Sequence, residues 1–337
     1  MHGVKRVRYS KEALEAQNQR ERDRLKEYLA LADDVMARRK GGDTSRETFD
    51  VTTKLLRFNP EFYTVWNYRR SMMLNAIFPQ SSPLEIYNML SEDLAFTFGL
   101  LKQHPKIYWI WNHRRWCLER IPDGPSEEDR NGWRNETWNK ELFVDEKMLD
   151  ADARNFHAWN YRRYILATMP SPPPPMSELK YTTRKIEANF SNFSAWHQRS
   201  KVLTTLWEAG ELDPVKSREE EFELVRNAMY TDPDDQSVWL YHAWLIGQGN
   251  DIDRLNYEIQ SIQELLDEQP DSKWCMEALV RYKRMLLDKH SAAIEGKDGL
   301  QKLTDECLDL LGKLRDIDPP RKRRYEELDE HSRPSAG

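Results

Sequence analysis

Cysteine is scarce: the 337-residue chain carries three, Cys117, Cys275 and Cys307. An odd number of distant cysteines builds neither a disulfide framework nor a C-x-x-C metal knuckle, so reduced, partly buried thiols in a cytoplasmic protein are expected. Glycine is sparse at 13 residues, and the glycine-rich phosphate and dinucleotide loops GxxxxGK[ST] and GxGxxG are missing. HExxH and GxSxG are missing too, and the eight histidines are dispersed without metal-ligand spacing. No apolar run approaches the roughly 18 residues of a membrane span, and the opening MHGVKRVRYS has basic residues but no apolar signal-peptide core. Positive charge is not in excess either, with 51 Lys+Arg against 57 Asp+Glu. DNA and RNA are therefore not expected partners.

Large aromatics are plentiful, with 12 Trp, 14 Tyr and 11 Phe, and they fall in register. NPEFYTVWNYRR (59–70), HPKIYWIWNHRR (104–115), DARNFHAWNYRR (152–163), NFSNFSAWHQRS (189–200) and DPDDQSVWLYHA (232–243) repeat one pattern. A weaker copy, QPDSKWCMEALVR, extends it. The anchors Trp66, Trp111, Trp159, Trp196, Trp239 and Trp274 are 45, 48, 37, 43 and 35 residues apart, the size of a helical-hairpin repeat.

Each unit reads as helix, break, helix. Ser45 caps a helix carrying Phe49, Val51, Leu55, Leu56 and Phe58, and Asn59-Pro60 ends it and opens the next at once. Ser82-Pro83 and Asp213-Pro214 repeat the capping signal before helices that end near His104-Pro105 and Asp232-Pro233. A leading helix is expected over 10–40, stopped by Gly41-Gly42, and an extended spacer at Pro170-Ser171-Pro172-Pro173-Pro174-Pro175. A last amphipathic helix covers 297–317. The expected organisation is a leading segment 1–43, about six hairpins over 44–290, a capping helix 291–320 and a polar, mobile tail 321–337. The fold class is all-α: a right-handed superhelical array of antiparallel hairpins, tetratricopeptide-like in architecture.

What recurs in every unit serves the architecture. The Trp fills grooves between hairpins, and Arg69, Arg114, Arg162 and Arg199, with Asn67, Asn112 and Asn160, are expected to satisfy carbonyls and carboxylates at the hairpin turns. What varies carries information. Five residues before the Trp stand Glu61, Lys106, Arg154, Ser191 and Asp234, so cations sit only in the middle units, beside Tyr108 and His157. Near helix N-termini such an edge suits a phosphate or diphosphate; from position alone, ordinary solvated turn charges are the favoured reading, and spacing by itself does not establish a site.

The Pro-x-x-Tyr-x-x-Trp-x-x-Arg-Arg register resembles the α subunits of protein prenyltransferases over about residues 44–290. The opening MHGVKRVRYSKEALEAQNQRER and the units DARNFHAWNYRRY, NFSNFSAWHQRS and DPDDQSVWLYHAW are most similar to the Rab, or type II, branch, in a short form without immunoglobulin-like and leucine-rich domains. The resemblance implies a helical crescent around an α-α barrel β subunit. That partner would hold the zinc and most of the pocket for the co-substrate geranylgeranyl diphosphate, and the acceptors would be C-terminal cysteines of Rab GTPases presented by a Rab escort protein. It implies that Lys106 contacts the diphosphate and that Tyr108 and His157 share the site, with Arg154 a second cation. Phe156 replaces the family's Tyr and offers no hydroxyl. His2 is a candidate self-inhibiting ligand to the partner's zinc. Two other readings are the α subunit shared by farnesyltransferase and type I geranylgeranyltransferase, and a tetratricopeptide-like peptide-binding adaptor.

Overall fold

The computed structural model describes residues 10–294 and 296–330, and every regular element among them is helical. They divide at Pro172/Pro173 into two compact units.

The first unit opens with α1 (Lys11–Lys40), whose N-cap Ser10 accepts the Ala13 N–H and which stops at Gly41. Gly42 follows at φ +72°, a left-handed conformation that glycine adopts without a Cβ clash. The front half of α1 is exposed, with Leu14, Leu25 and Leu29 about half accessible, and Val35 is its one buried apolar side chain. Three pairs follow: α2 (Arg46–Phe58) with α3 (Tyr63–Met72), α4 (Pro83–Gln103) with α5 (Tyr108–Leu118), and α6 (Gly132–Ala151) with α7 (Phe156–Thr168). Successive second helices α3, α5 and α7 touch, as do α4 and α6, so the pairs stack in two layers. Ser82 and Glu85 close a reciprocal capping box at the start of α4, with Pro83 in its first turn.

The second unit contains α8 (Pro175–Ala188) with α9 (Phe193–Glu208), α10 (Pro214–Thr231) with α11 (Gln236–Ile246), and α12 (Ile252–Glu268) with α13 (Lys273–His290). It closes with α14 (Gly296–Ile317) and α15 (Lys322–Glu330). The proline run before it is non-helical from Met169 to Pro174, and Pro174 is extended at φ −54°, ψ 141°.

Three expectations need correction. Pro60 does not open α3: the helix starts at Tyr63, and the Pro60 carbonyl instead accepts the Trp66 indole N–H at 2.8 Å. The same six-residue bond recurs at Trp111–Pro105 (3.0 Å), Trp159–Ala153 (2.9 Å), Trp196–Phe190 (2.6 Å) and Trp239–Pro233 (2.8 Å). Each indole thus fills the core and fastens its turn. In the sixth unit, six residues after Pro270 lies Met276, 1% exposed, so Met276 holds the anchor position. Trp274 is half-buried, beneath the Arg321 guanidinium. Finally, the expected mobile tail forms α15 from residue 322 to 330, because the Tyr325 hydroxyl is buried 2.7 Å from both Glu277 and Asp318.

The recurring arginines also behave differently from the expectation. Arg69, Arg114 and Arg199 do not serve the hairpin turns, and Asn67 and Asn160 are exposed. Arg114 instead makes two 2.6 Å bonds to Glu141, and its remaining terminal nitrogen bonds the Leu94 carbonyl and the Thr97 hydroxyl. Arg69 makes the same contacts to Asp93, Phe49 and Thr52, and Arg199 to Glu221, Leu179 and Thr182. Each carboxylate, which lies one pair further on than its arginine, also takes a group from the second helix of its own pair: His113 on Asp93 (2.8 Å), Tyr161 on Glu141 (2.7 Å) and Tyr241 on Glu221 (2.5 Å). Burial raises the Asp93 pKa, but Arg69 and His113 outweigh it and hold the carboxyl far below the usual range. This buried ladder links successive pairs through desolvated charges, an arrangement whose best-attested use is to specify register rather than to add net stability.

Candidate functional site

Lys106, Tyr108, Arg154 and His157 all lie in the first unit, on the α4–α5 and α6–α7 turns and the helix starts that follow. Asn155 joins the two turns. Its side chain is 1% exposed, donates to the Pro105 carbonyl at 3.2 Å and accepts from the His157 and Ala158 backbone N–H groups. It therefore caps α7 while tying that helix to the turn that carries Lys106.

His157 is buried and hydrogen-bonded to the Lys106 main chain, and its ring meets Tyr108 edge-on at 5.7 Å. Burial lowers its pKa, the Lys106 main-chain bond opposes that, and the Lys106 charge lowers it further, so the ring is neutral near pH 7. Tyr108 itself is 54% exposed. The Lys106 side chain is 69% exposed, and its ammonium stands 3.4 Å from Asp152. His157 thus meets two of the other sequence-predicted residues, the Lys106 main chain and the Tyr108 ring. Arg154 is exposed on the same turn as Asp152, to which its backbone N–H donates at 3.1 Å. Beside them Tyr63 and Phe156 are exposed at the position Tyr108 holds in its own unit, and Tyr63 packs on Trp109 at 5.3 Å. The result is an open, aromatic edge with one exposed ammonium and two helix N-termini, suited to meeting a polyanion beside an apolar chain. His2 lies outside the described residues.

Sequence reading missed Asp152 and Asn155. Asn155 carried a signal, since Asn192 and Asp235 stand at the same distance before their Trp and accept N–H groups in the same way. Asp152 carried a signal for its turn alone, since Asn59, Asn189 and Asp232 stand at the same distance before their Trp and accept an N–H in the same way; nothing marked its contact with Lys106, 46 residues away.

Could this chain hold a catalytic metal itself? Among the described residues, Asp93, His113 and Cys117 alone bring three ligand atoms within 4.8 Å. The site does not fit a cation: both Asp93 oxygens are taken by Arg69, His113 shares one, and burial pushes the Cys117 thiol well above its usual pKa. Burial likewise raises Cys275 and Cys307 to about 11, which leaves both thiols inert.

Tandem hairpins, five of them closed by a Trp-to-turn bond, with a cationic aromatic edge at the second and third turns, define the class of repeat that builds prenyltransferase α subunits. The sequence pattern described as protein prenyltransferase alpha subunit repeat matches residues 45–76, 90–121, 138–169, 175–206 and 218–249. A Schizosaccharomyces pombe protein named Geranylgeranyl transferase type-2 subunit alpha is 37% identical over 98% of both chains, and the Dictyostelium discoideum protein of that name is 35% identical over 98% of this chain and 99% of its own. The chain belongs to the protein prenyltransferase α-subunit family. The Bos taurus protein of the same name is 37% identical over 76% of this chain, which spans only 43% of its length. The solved structure titled Candida albicans protein geranylgeranyltransferase-I complexed with GGPP superposes with a TM-score of 0.69 at 18% identity, covering 98% of this chain and 93% of that one. At that identity the superposition shows the fold alone. Among the described residues no helix is long and apolar enough to cross a membrane.

Proposed function

We propose that this chain is the α subunit of a type-2 geranylgeranyl transferase and works in the cytoplasm as a heterodimer with a β subunit. The observation that carries the reading is the 37% identity to a protein of that name along nearly the whole of both chains. The acceptors are C-terminal cysteines of Rab GTPases, delivered by a Rab escort protein. Two lipids hold where one binds only reversibly, at about 0.8 kcal/mol per buried CH₂. Zinc, held by the β subunit, would supply an acceptor thiolate at neutral pH.

In the transfer the sulfur–C1 bond forms as the C1–oxygen bond breaks, and diphosphate leaves with the electron pair. This chain's part is at the leaving group. Lys106 stabilises the charge that grows on the departing oxygens, Tyr108 offers a hydroxyl beside it, and Arg154 adds a second cation. His157 holds the Lys106 turn in place through its main-chain bond, a role supported by its burial and neutral state.

Reconstitution tests the proposal. The purified chain should transfer no geranylgeranyl, and addition of the β subunit should restore transfer to a Rab bound to its escort. Failure of the pair to modify that acceptor would overturn the reading. Efficient modification of a CaaX peptide without escort would select the α subunit of the type I enzyme instead.

A further inference from the structure

We infer that Asp152 is a positioning residue that competes with diphosphate for Lys106, holding the ammonium at the empty site and speeding release of the product. The inference rests on the reading of Lys106 as the diphosphate contact. Asp152 ends α6, where its N–H bonds the Met148 carbonyl, and one carboxylate oxygen accepts the Arg154 N–H at 3.1 Å. That leaves the second oxygen directed to Lys106, 3.4 Å away.

The two backbones beneath this pair are held together. Asn155 bonds the Pro105 carbonyl, and the His157 ring bonds the Lys106 main chain. Only the lysine stem is free to choose a partner. The pair is open to water, with side-chain exposures of 69% and 36%, so it exchanges readily. A diphosphate carries several negative charges against one on Asp152 and wins the ammonium when bound. Its net affinity is lower, however, by whatever the displaced pair was worth. Substrate and product are weakened together, so the carboxylate raises KM slightly and keeps a strongly charged product from remaining bound.

Asp152→Asn removes the charge and keeps an oxygen for the Arg154 N–H, and Asp152→Ser serves as a second variant with the same acceptor. The assay is inhibition of transfer by inorganic diphosphate, in the α/β heterodimer, for wild type, Asp152→Asn, Lys106→Ala and the double variant at about 0.1 M salt. Asp152→Asn should tighten inhibition about two- to fivefold, the range for an exposed ion pair, and lower KM for geranylgeranyl diphosphate with the single-turnover rate not reduced. In the Lys106→Ala background the same substitution should change nothing. Unchanged or weaker inhibition in Asp152→Asn, or equal tightening without Lys106, overturns the inference and leaves the functional proposal standing. Should Lys106→Ala itself leave diphosphate inhibition unaltered, the reading of the site falls and the inference with it.

Discussion

Replacing Arg114 by Met tests the buried ladder, because Met keeps most of the stem's bulk and removes only the guanidinium. In the folded chain that group is 1% exposed and serves Glu141 twice, the Leu94 carbonyl and the Thr97 hydroxyl. Its loss leaves the Glu141 carboxylate, itself 2% exposed, with the Tyr161 hydroxyl. Removing one partner of a buried ion pair destabilises by roughly 3 to 5 kcal/mol. At roughly 2 to 4 °C per kcal/mol for a unit of this size, the melting temperature should fall by about 6 to 20 °C. Calorimetry at pH 7.5 reads it directly. Adding Glu141→Gln should recover more than half of the loss, since the stranded charge is then gone. A single variant melting within about 2 °C of wild type, or a double variant melting lower still, would refute the argument that charge satisfaction holds these units in register.

Trp111→Ala removes a 3%-exposed indole and its bond to the Pro105 carbonyl. It should cost roughly 3 to 5 kcal/mol, read as a lower urea midpoint, and an unchanged midpoint would contradict the packing account. His113 is fully buried and its pKa is lowered by that burial against the opposing bond to Asp93. Below about pH 6.5 the unfolded chain therefore takes up a proton that the folded chain refuses. Stability should be flat above that pH and fall as the pH drops through it toward the folded value. His113→Gln, whose amide cannot titrate, should melt lower but with a shallower loss between about pH 7 and 5.5, and an equally steep profile would exclude His113 as the source. Asp93, held low, adds to the slope only below about pH 4.

The five strong repeats were legible because each sets its Trp in one local pattern of turn residues, aromatics and arginines. The sixth was misplaced by two residues, because Trp274 drew the register away from Met276. A second signal was present and unused. Eighteen residues before Trp111, Trp159, Trp196, Trp239 and Met276 stand Asp93, Glu141, Glu178, Glu221 and Glu258. Counting from Trp274 gives Asn256 instead, so the acidic series would have corrected the anchor and named the arginines' partners. Helix α15 was hidden by composition, since seven of its nine residues are charged and its single buried aromatic finds its partners 48 and 7 residues away. Of the site, residue types at repeat positions pointed to Lys106, Tyr108 and His157. The pairing of Lys106 with Asp152 depends on how two hairpins stack, which no local pattern encodes.

Under the proposed function, this helical array does no chemistry alone and lends a positive edge to its partner's reaction. The single-turnover rate of geranylgeranyl transfer by the heterodimer, wild type against Lys106→Ala, tests it most directly. Loss of a charge-assisted contact of roughly 1.5 to 3 kcal/mol predicts a slowing of about ten- to a hundredfold with the heterodimer intact. A wild-type rate in the variant, or full activity from this chain without its partner, would contradict the account.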